Sequence, residues 1–135
     1  MKTYPINETP ISYTVAESAA AYGLINFIRG GLPFDFFVGL GNRLNFSFRE
    51  WARVLHLSER SLQRYQKGQK AFDAMQSERI IEITMLSNYG KDIFGSDERW
   101  VEWLSMPNLA LGGITPQSLL DSSMGIQLIK DELGR

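Results

Sequence analysis

The sequence predicts an all-α protein made of about seven short helices. Apolar side chains recur every three or four residues along most of the chain, whereas strict alternation and Asn-Gly hairpin turns, which would indicate strands, are absent. A capping residue precedes several of these periodic segments, and glycine or proline follows them, which is typical of helix ends. With 135 residues, the chain can form one domain or two small helical domains that share a core.

The predicted helices are short and follow one another closely. We expect them over residues 15–29, 33–44, 46–56, 59–67, 75–86 and 98–104, followed by one that starts at Thr115-Pro116 and a last one that contains Ile126, Ile129 and Leu133. The predicted N-caps are Ser47, Ser58, Asp97, Thr115 and Ser123. Gly30-Gly31 and Gly68 are expected to end helices, and Pro33 is placed in the first turn of the second helix. Residues 1–14 are predicted to be flexible.

The two halves of the chain differ in charge, although the whole chain carries a net charge of only −1. Residues 1–70 contain nine lysines and arginines against five acids, whereas residues 71–135 contain five against ten. A basic half joined to an acidic half indicates two different partners, one of them a polyanion. Chance clustering of solvated surface charge is the alternative interpretation.

Composition argues against catalysis. The chain has no cysteine and a single histidine, His56, and it lacks a glycine-rich phosphate loop and any metal-ligand spacing. Asp97, Glu98 and Glu102 share one short helix, but such acids more often cap and solvate a helix than hold a cation. We therefore expect neither an enzyme nor a cofactor. The sequence shows no secretory signal and no apolar run of about 20 residues, so a cytoplasmic protein without a membrane span is expected.

Residues 48–67 fit the pattern of a helix-turn-helix. Two helices that cross around a tight turn need a small residue at the crossing and apolar anchors on both sides of the turn. Ala52 is the small residue, and the anchors are Trp51, Leu55, Leu57, Leu62 and Tyr65. His56 occupies the turn position where glycine is usual, and a positive φ is often needed there. Because histidine does not adopt a positive φ freely, we expect a slightly different turn. The alternative is a solvated basic helix that never meets DNA.

The second helix of this unit carries the side chains expected to read DNA. Arginine and glutamine suit bidentate contacts with guanine and adenine, and serines at a helix N-terminus are placed to meet phosphate. The candidate DNA-binding residues are Ser58, Glu59, Arg60, Ser61, Gln63, Arg64 and Lys67.

Residues 100–125 contain a short aromatic helix that stops at Pro107, a turn with Gly112-Gly113, and a new start at Thr115-Pro116. Taken alone, this pattern fits a well-specified turn between two packed helices. From about Gly31 to Arg135, however, the chain resembles the MbcA/ParS/Xre group of antitoxins, which are partners of RES-domain toxins. The resemblance is carried by an ordered series of short motifs: Gly31-Leu32-Pro33, Ser58 to Arg64, Ser77-Glu78-Arg79, Phe94-Gly95, Trp103-Leu104, Pro107-Asn108, Ala110-Leu111-Gly112-Gly113, Thr115-Pro116, Leu119-Leu120, Gly125 and Leu133-Gly134-Arg135.

The resemblance implies a type II antitoxin with two domains. An Xre-like helix-turn-helix domain, placed over residues 15–76, would bind operator DNA and repress the chain's own operon. A small helical toxin-binding domain, placed over residues 77–135, would cover the active-site cleft of an NAD-degrading RES-domain toxin. A homodimer within a larger toxin–antitoxin complex is also implied.

The candidate toxin-binding residues combine that resemblance with the charge pattern. We expect the acids Glu98, Glu102, Asp131 and Glu132 to face a basic, NAD-binding cleft, and Arg135 to reach into it. The candidate contacts are Trp103, Pro107, Asn108, Leu111, Gly112, Gly113, Thr115, Leu119, Leu120, Ile129, Leu133 and Arg135. The alternative function is a stand-alone helix-turn-helix repressor whose second half only dimerises.

Overall fold

A computed structural model describes residues 23–135, and that range is helical, with no strand beyond one isolated bridge between Asn108 and Ile114. The predicted all-α class is confirmed. The predicted flexible segment 1–14 and the first part of the helix predicted over 15–29 lie outside the described residues. The α-helices are α1 (23–30), α2 (Phe34–Leu44), α3 (Phe48–Leu55), α4 (Glu59–Gly68), α5 (Ala74–Phe94), α6 (Asp97–Ser105) and α7 (Ser123–Leu133), and two short 3₁₀ helices cover Leu109–Leu111 and Pro116–Leu119.

Helix starts follow the predicted capping chemistry, with shifts of one residue. The Ser47 hydroxyl accepts from the Glu50 amide at 3.0 Å, and the Ser58 hydroxyl accepts from the Ser61 amide at 3.0 Å, as predicted. The predictions of Asp97 and Ser123 as caps are wrong, because the serine before each of them caps the helix instead. In both places two good capping residues are adjacent, so local propensity does not choose between them.

Three other predicted boundaries also shift. Pro33 precedes α2 as its N-cap residue, and Gly68 is the last residue of α4, which ends on Gln69 in the left-handed conformation at φ 49°. Thr115-Pro116 starts only a single 3₁₀ turn, and the Thr115 side chain makes no capping bond. Gly31, by contrast, follows α1 with φ 87°, as the prediction of a helix end at Gly30-Gly31 requires.

The longest helix, α5, was predicted too short. It has 21 residues and continues from the predicted end near residue 86 to Phe94, where Gly95 stops it at φ 92°. Because α5 packs against α2, α3, α6 and α7, its buried residues are spread around its circumference and give no single apolar stripe. The division predicted between residues 76 and 77 falls inside this helix, so the two halves share it.

The first turns of α5 pack against the first half of the molecule. The buried Ser77 hydroxyl accepts from the Leu32 amide at 2.9 Å, and the Phe72 amide donates to the Leu32 carbonyl at 3.0 Å. Arg79 donates to the Val54 carbonyl at 3.4 Å, near the C-terminal end of α3. These contacts place Ser77 and Arg79 of the Ser77-Glu78-Arg79 motif against the first half of the molecule.

Each half has its own aromatic cluster within one hydrophobic core. In the first half, the Trp51 ring lies edge-on to Phe37 at 5.0 Å between centroids, and Tyr65 stacks on Phe72 at 5.2 Å. In the second half, the Trp100 and Trp103 rings stack at 5.6 Å. Trp100 is fully buried, whereas Trp103 packs against the core and stays partly exposed.

Gly90 sets the distance between α5 and α6. A Cβ at this position would overlap the six-membered part of the Trp100 ring, which is fully buried and has no space to move into. The close approach of the two helices therefore requires a glycine at residue 90.

We predict that Gly90→Ala lowers the free energy of unfolding by about 2 kcal/mol, because the added methyl group overpacks the α5–α6 contact. The matched control is Gly39→Ala, at a helical glycine of α2 that has open space around its Cβ position. This control should raise the free energy of unfolding by about 0.5–1 kcal/mol through helix propensity. Urea denaturation followed by circular dichroism measures both, and equal effects of the two substitutions would contradict the argument.

Candidate functional site

The helices α3 and α4 form the helix-turn-helix predicted over residues 48–67. Ala52 is buried at the crossing, and its carbonyl accepts from the Leu57 amide at 2.9 Å. Leu55 is buried before the turn and Leu62 after it. His56 takes the left-handed conformation that glycine usually adopts at the turn position, at φ 57° and ψ 41°, so the expectation of a slightly different turn is wrong.

The solvent-facing side of α4 carries the candidate DNA-binding residues. Leu62 is fully buried and holds the helix to the core, which turns the opposite face outward. Ser61 is half-buried, and the other candidates are exposed: Ser58, Glu59, Arg60, Gln63, Arg64 and Lys67. Three cations and one acid on this face give it a net positive charge. The structure thus places these residues on one accessible surface, which we call the α4 face; their contacts with DNA remain a prediction.

Hydrogen bonds within the first turn of α4 pre-position part of this surface. Besides capping the helix, Ser58 Oγ donates to Ser61 Oγ at 3.0 Å, and Arg64 Nη2 donates to Ser61 Oγ at 3.1 Å. Arg60 and Lys67 make no side-chain hydrogen bond or ion pair with any of residues 23–135. They are therefore available to a polyanion without breaking an internal contact.

The second half presents a closed loop at residues 106–114, which we call the apolar loop. The Asn108 amide donates to the Ile114 carbonyl at 2.9 Å, and the Gly113 amide donates to the Asn108 carbonyl at 2.9 Å. Asn108 Oδ1 also accepts from the Ala110 amide at 2.8 Å. Gly112 and Gly113 have φ of 86° and 84°, which side chains rarely adopt, so both glycines are needed for this turn.

The candidate toxin-binding residues fall into three groups by exposure. Exposed are Pro107, Gly112, Gly113 and Arg135; half-buried are Trp103, Asn108, Leu111, Thr115, Leu119 and Leu133. Leu120 and Ile129, however, are fully buried. The expectation that these two contact a toxin directly has to be corrected: they stabilise the core, and they act on a partner only through the shape of the surface above them.

An ionic network joins α3 to the segment that follows the apolar loop. Arg53 forms an ion pair with Glu50 at 2.8 Å and one with Asp121 at 3.3 Å. It also donates to the carbonyls of Gln117 at 3.1 Å and Ser118 at 3.3 Å. Gln117 Nε2 completes the network by donating to Glu50 Oε2 at 2.9 Å. We call these five residues the Arg53 network.

His56 adds a further tie between the two halves. Its Nε2 lies 2.7 Å from the carbonyl oxygen of Asp121, so the imidazole donates a hydrogen bond to that carbonyl. The histidine therefore has two structural tasks, since its backbone makes the turn and its ring holds the second half. The sequence indicated only the first task.

Electrostatics within the network are favourable. The Arg53 guanidinium lowers the pKa of Glu50 below its ordinary value; partial burial opposes this effect, and the hydrogen bond from Gln117 supports it. Glu50 in turn raises the pKa of Arg53. This network could not be predicted from the sequence, because Gln117 lies more than sixty positions after both Glu50 and Arg53. No local sequence pattern pairs residues at that separation.

The acids of α6 are not part of a metal site among the described residues. Asp97, one of three acids considered for a cation, is paired with Arg43 at 3.2 Å. Among residues 23–135, no group of three or more metal-ligating side chains comes together. None of the described helices is both long and apolar enough to cross a bilayer.

Fold and site together define a helix-turn-helix protein whose helix-turn-helix unit is joined, through a shared helix, to a second helical unit with an exposed apolar loop. Residues 23–84 match the family described as the antitoxin Xre-like helix-turn-helix domain. Residues 90–135 match the family described as the antitoxin Xre/MbcA/ParS C-terminal toxin-binding domain. The chain belongs to the Xre/MbcA/ParS family of antitoxins, which is not a family of enzymes.

Two curated proteins named Antitoxin Xre are similar over most of the chain. The protein from Photorhabdus laumondii subsp. laumondii is 26% identical, covering 98% of this chain and 91% of its own length. The protein from Yersinia enterocolitica serotype O:8 / biotype 1B is 28% identical, covering 83% of this chain and 76% of its own length. The similarity therefore extends across both halves rather than over the helix-turn-helix alone.

We predict that Glu50→Gln lowers the free energy of unfolding by about 0.5–1 kcal/mol at neutral pH, since it weakens an ion pair that is partly exposed and therefore partly screened by water. A carboxyl group whose pKa is lowered by folding contributes stability above its unfolded pKa of about 4.3 and loses it as the pH falls through the folded value. The difference between wild type and variant should therefore shrink at acid pH. Urea titrations between pH 7 and pH 3 measure it.

The control for this prediction is Glu78→Gln, at an exposed acid of α5 that takes no part in the ion pairs of the described residues. It should change the free energy of unfolding little at any pH. A Glu50→Gln deficit that persists undiminished at pH 3 would contradict the assignment of the effect to the Glu50 carboxylate.

Proposed function

We propose that this chain neutralises a RES-domain, NAD-degrading toxin by occluding its active-site cleft, and that it represses its own operon through the α4 face. The proposal includes a homodimer within a larger toxin–antitoxin assembly. The observation that carries it is the presence, on one antitoxin-family chain, of an exposed cationic recognition helix and a separate toxin-binding domain.

DNA recognition is supported by the geometry and charge of α4. Its ten residues extend about 15 Å, a length that fits within the major groove. Arg60, Gln63 and Arg64 are the side chains suited to base edges, and Lys67 is suited to phosphate. One such helix reads a single half-site, so useful affinity requires two copies, which is why the proposal includes a dimer.

Toxin occlusion is supported by charge and by the C-terminal helix. An NAD-binding cleft must accommodate an anionic dinucleotide, so we expect it to be basic. The exposed acids Glu98, Glu102 and Asp131 of this chain would speed the encounter with such a cleft. Arg135 has a side chain 76% exposed and only a long contact of 3.5 Å with Glu132, so it is free to reach the cleft.

The competing function, a stand-alone repressor whose second half only dimerises, has less support. The match of residues 90–135 to a toxin-binding domain favours the antitoxin function. The two functions also differ in genetic context, because the stand-alone repressor requires no toxin gene beside its own.

We predict that Arg64→Ala weakens binding to the chain's own promoter DNA by about 10- to 100-fold, since a bidentate base contact is worth about 1–3 kcal/mol.

Lys67→Ala should weaken binding to all DNA sequences alike and should reduce the slope of log affinity against log salt by about one. Fluorescence anisotropy at several salt concentrations separates these two effects. Arg99→Ala is the control, because it removes an exposed cation of α6, in the other half. A loss for Arg99→Ala equal to that for Arg64→Ala would contradict a specific role of α4.

We predict that Arg135→Ala weakens binding and inhibition of the neighbouring RES-domain protein by at least about tenfold, because it removes the side chain proposed to enter the cleft. A point substitution is preferable to trimming residues 126–135, since Ile126 and Ile129 are buried and their removal would disrupt the core. Arg64→Ala is the control and should leave toxin binding unchanged. NAD consumption in a mixture of the two purified proteins measures inhibition, and full inhibition by Arg135→Ala would refute the role of this residue.

A further inference from the structure

The apolar loop exposes a large side chain that the fold does not use. Leu109 lies at the tip of residues 106–114 and is 94% exposed, the highest value among the large hydrophobic residues described. Met106 and Ile114 flank it at 56% and 43% exposed. Single exposed apolar residues are ordinary, but three within one short loop form a patch of the kind that marks binding sites.

Charge is absent from the same region. No charged residue occurs between Glu102 and Asp121, so the loop and both of its flanks are uncharged, although acids are abundant elsewhere in this half. Depletion of charge at the centre with charged residues around it is the composition of a protein–protein interface. The acids Glu98 and Glu102 on the preceding helix would then lie toward the rim.

The loop is also held rigid before any partner arrives. Four hydrogen bonds involving Asn108 close it, and the Gly112 amide donates to the Leu109 carbonyl at 3.1 Å, which fixes the backbone of the tip. A preformed loop loses little conformational entropy on binding. Since almost none of the Leu109 side chain is buried within the chain, its burial in a complex would contribute nearly its full apolar area to affinity.

We propose that Leu109 is the anchor of the toxin interface, and that it inserts into an apolar pocket on the toxin surface while Met106 and Ile114 cover the rim of that pocket. This inference rests on the proposed function and deepens it, because it identifies the side chain that contributes most to affinity and the chemistry of the site that receives it. Asn108 is a positioning residue in this scheme, since its side chain holds the backbone of the tip. In this scheme the apolar loop supplies most of the affinity, whereas Arg135 enters the active-site cleft.

The test is binding of the purified RES-domain protein encoded beside this chain to Leu109→Asp, measured by calorimetry. We expect affinity to fall by at least about tenfold, because anchor residues at interfaces lose that much or more when replaced. The melting temperature should not change, since the side chain is exposed. Met75→Asp is the matched control: Met75 is 83% exposed, lies at the start of α5 in the other half, and should bind as wild type does.

Two further measurements keep the outcomes distinct. Asn108→Ala should weaken binding less than Leu109→Asp does. It should also make the entropy of binding more unfavourable, because the unbound loop becomes less ordered. If the wild-type chain fails to bind the RES-domain protein, the proposed function is overturned, and the anchor with it. If the wild type binds and Leu109→Asp binds equally well, the anchor alone is refuted. Loss of self-association by Leu109→Asp, with toxin binding retained, would assign the loop to an interface between two copies and would likewise overturn the proposal.

Discussion

The close packing of α5 against both halves of the molecule is the constraint on which the rest of the structure depends. Its first turns pack against the first half through Ser77 and Arg79. Farther along, α5 packs closely against α6 through Gly90, and it also contacts α7. A helix of 21 residues extends about 31 Å and does not bend easily when it is buried along its length. The two halves are therefore one packed body rather than two domains on a flexible linker.

The Arg53 network makes a second connection between the same two halves. It links α3, the first helix of the helix-turn-helix, to the segment between the apolar loop and α7. Two connections at different places resist rotation in a way that one cannot. The α4 face and the apolar loop consequently keep a fixed relative orientation, so a partner bound at the loop is held in a defined direction from the α4 face.

Features encoded locally could be predicted from the sequence, whereas those made by distant pairs could not. The helix-turn-helix follows from Ala52, Leu55 and Leu62 at fixed spacing. The left-handed conformation of His56 was not predicted, because a side chain disfavours a positive φ. The length of α5 was not, because a helix buried on several sides has no amphipathic period. Leu120 and Ile129 were predicted to contact a toxin because they are apolar residues of the second half. Apolarity alone, however, does not distinguish a buried core residue from one that contacts a partner. The exposure of Leu109 emerges only when the loop is closed.

The two surfaces of the chain differ in the forces on which their proposed functions depend. The α4 face is cationic and polar, so its attraction for a polyanion acts over several ångströms and weakens as salt is added. The apolar loop has no charge, so its attraction requires contact and the release of water, and it changes little with salt. The charged residues of the second half lie outside the segment between Glu102 and Asp121. In that half, long-range electrostatic attraction and short-range apolar burial therefore depend on different residues. A chain built in this way can approach a basic partner through its acids and still hold it through leucine, methionine and isoleucine, without burying an unpaired charge.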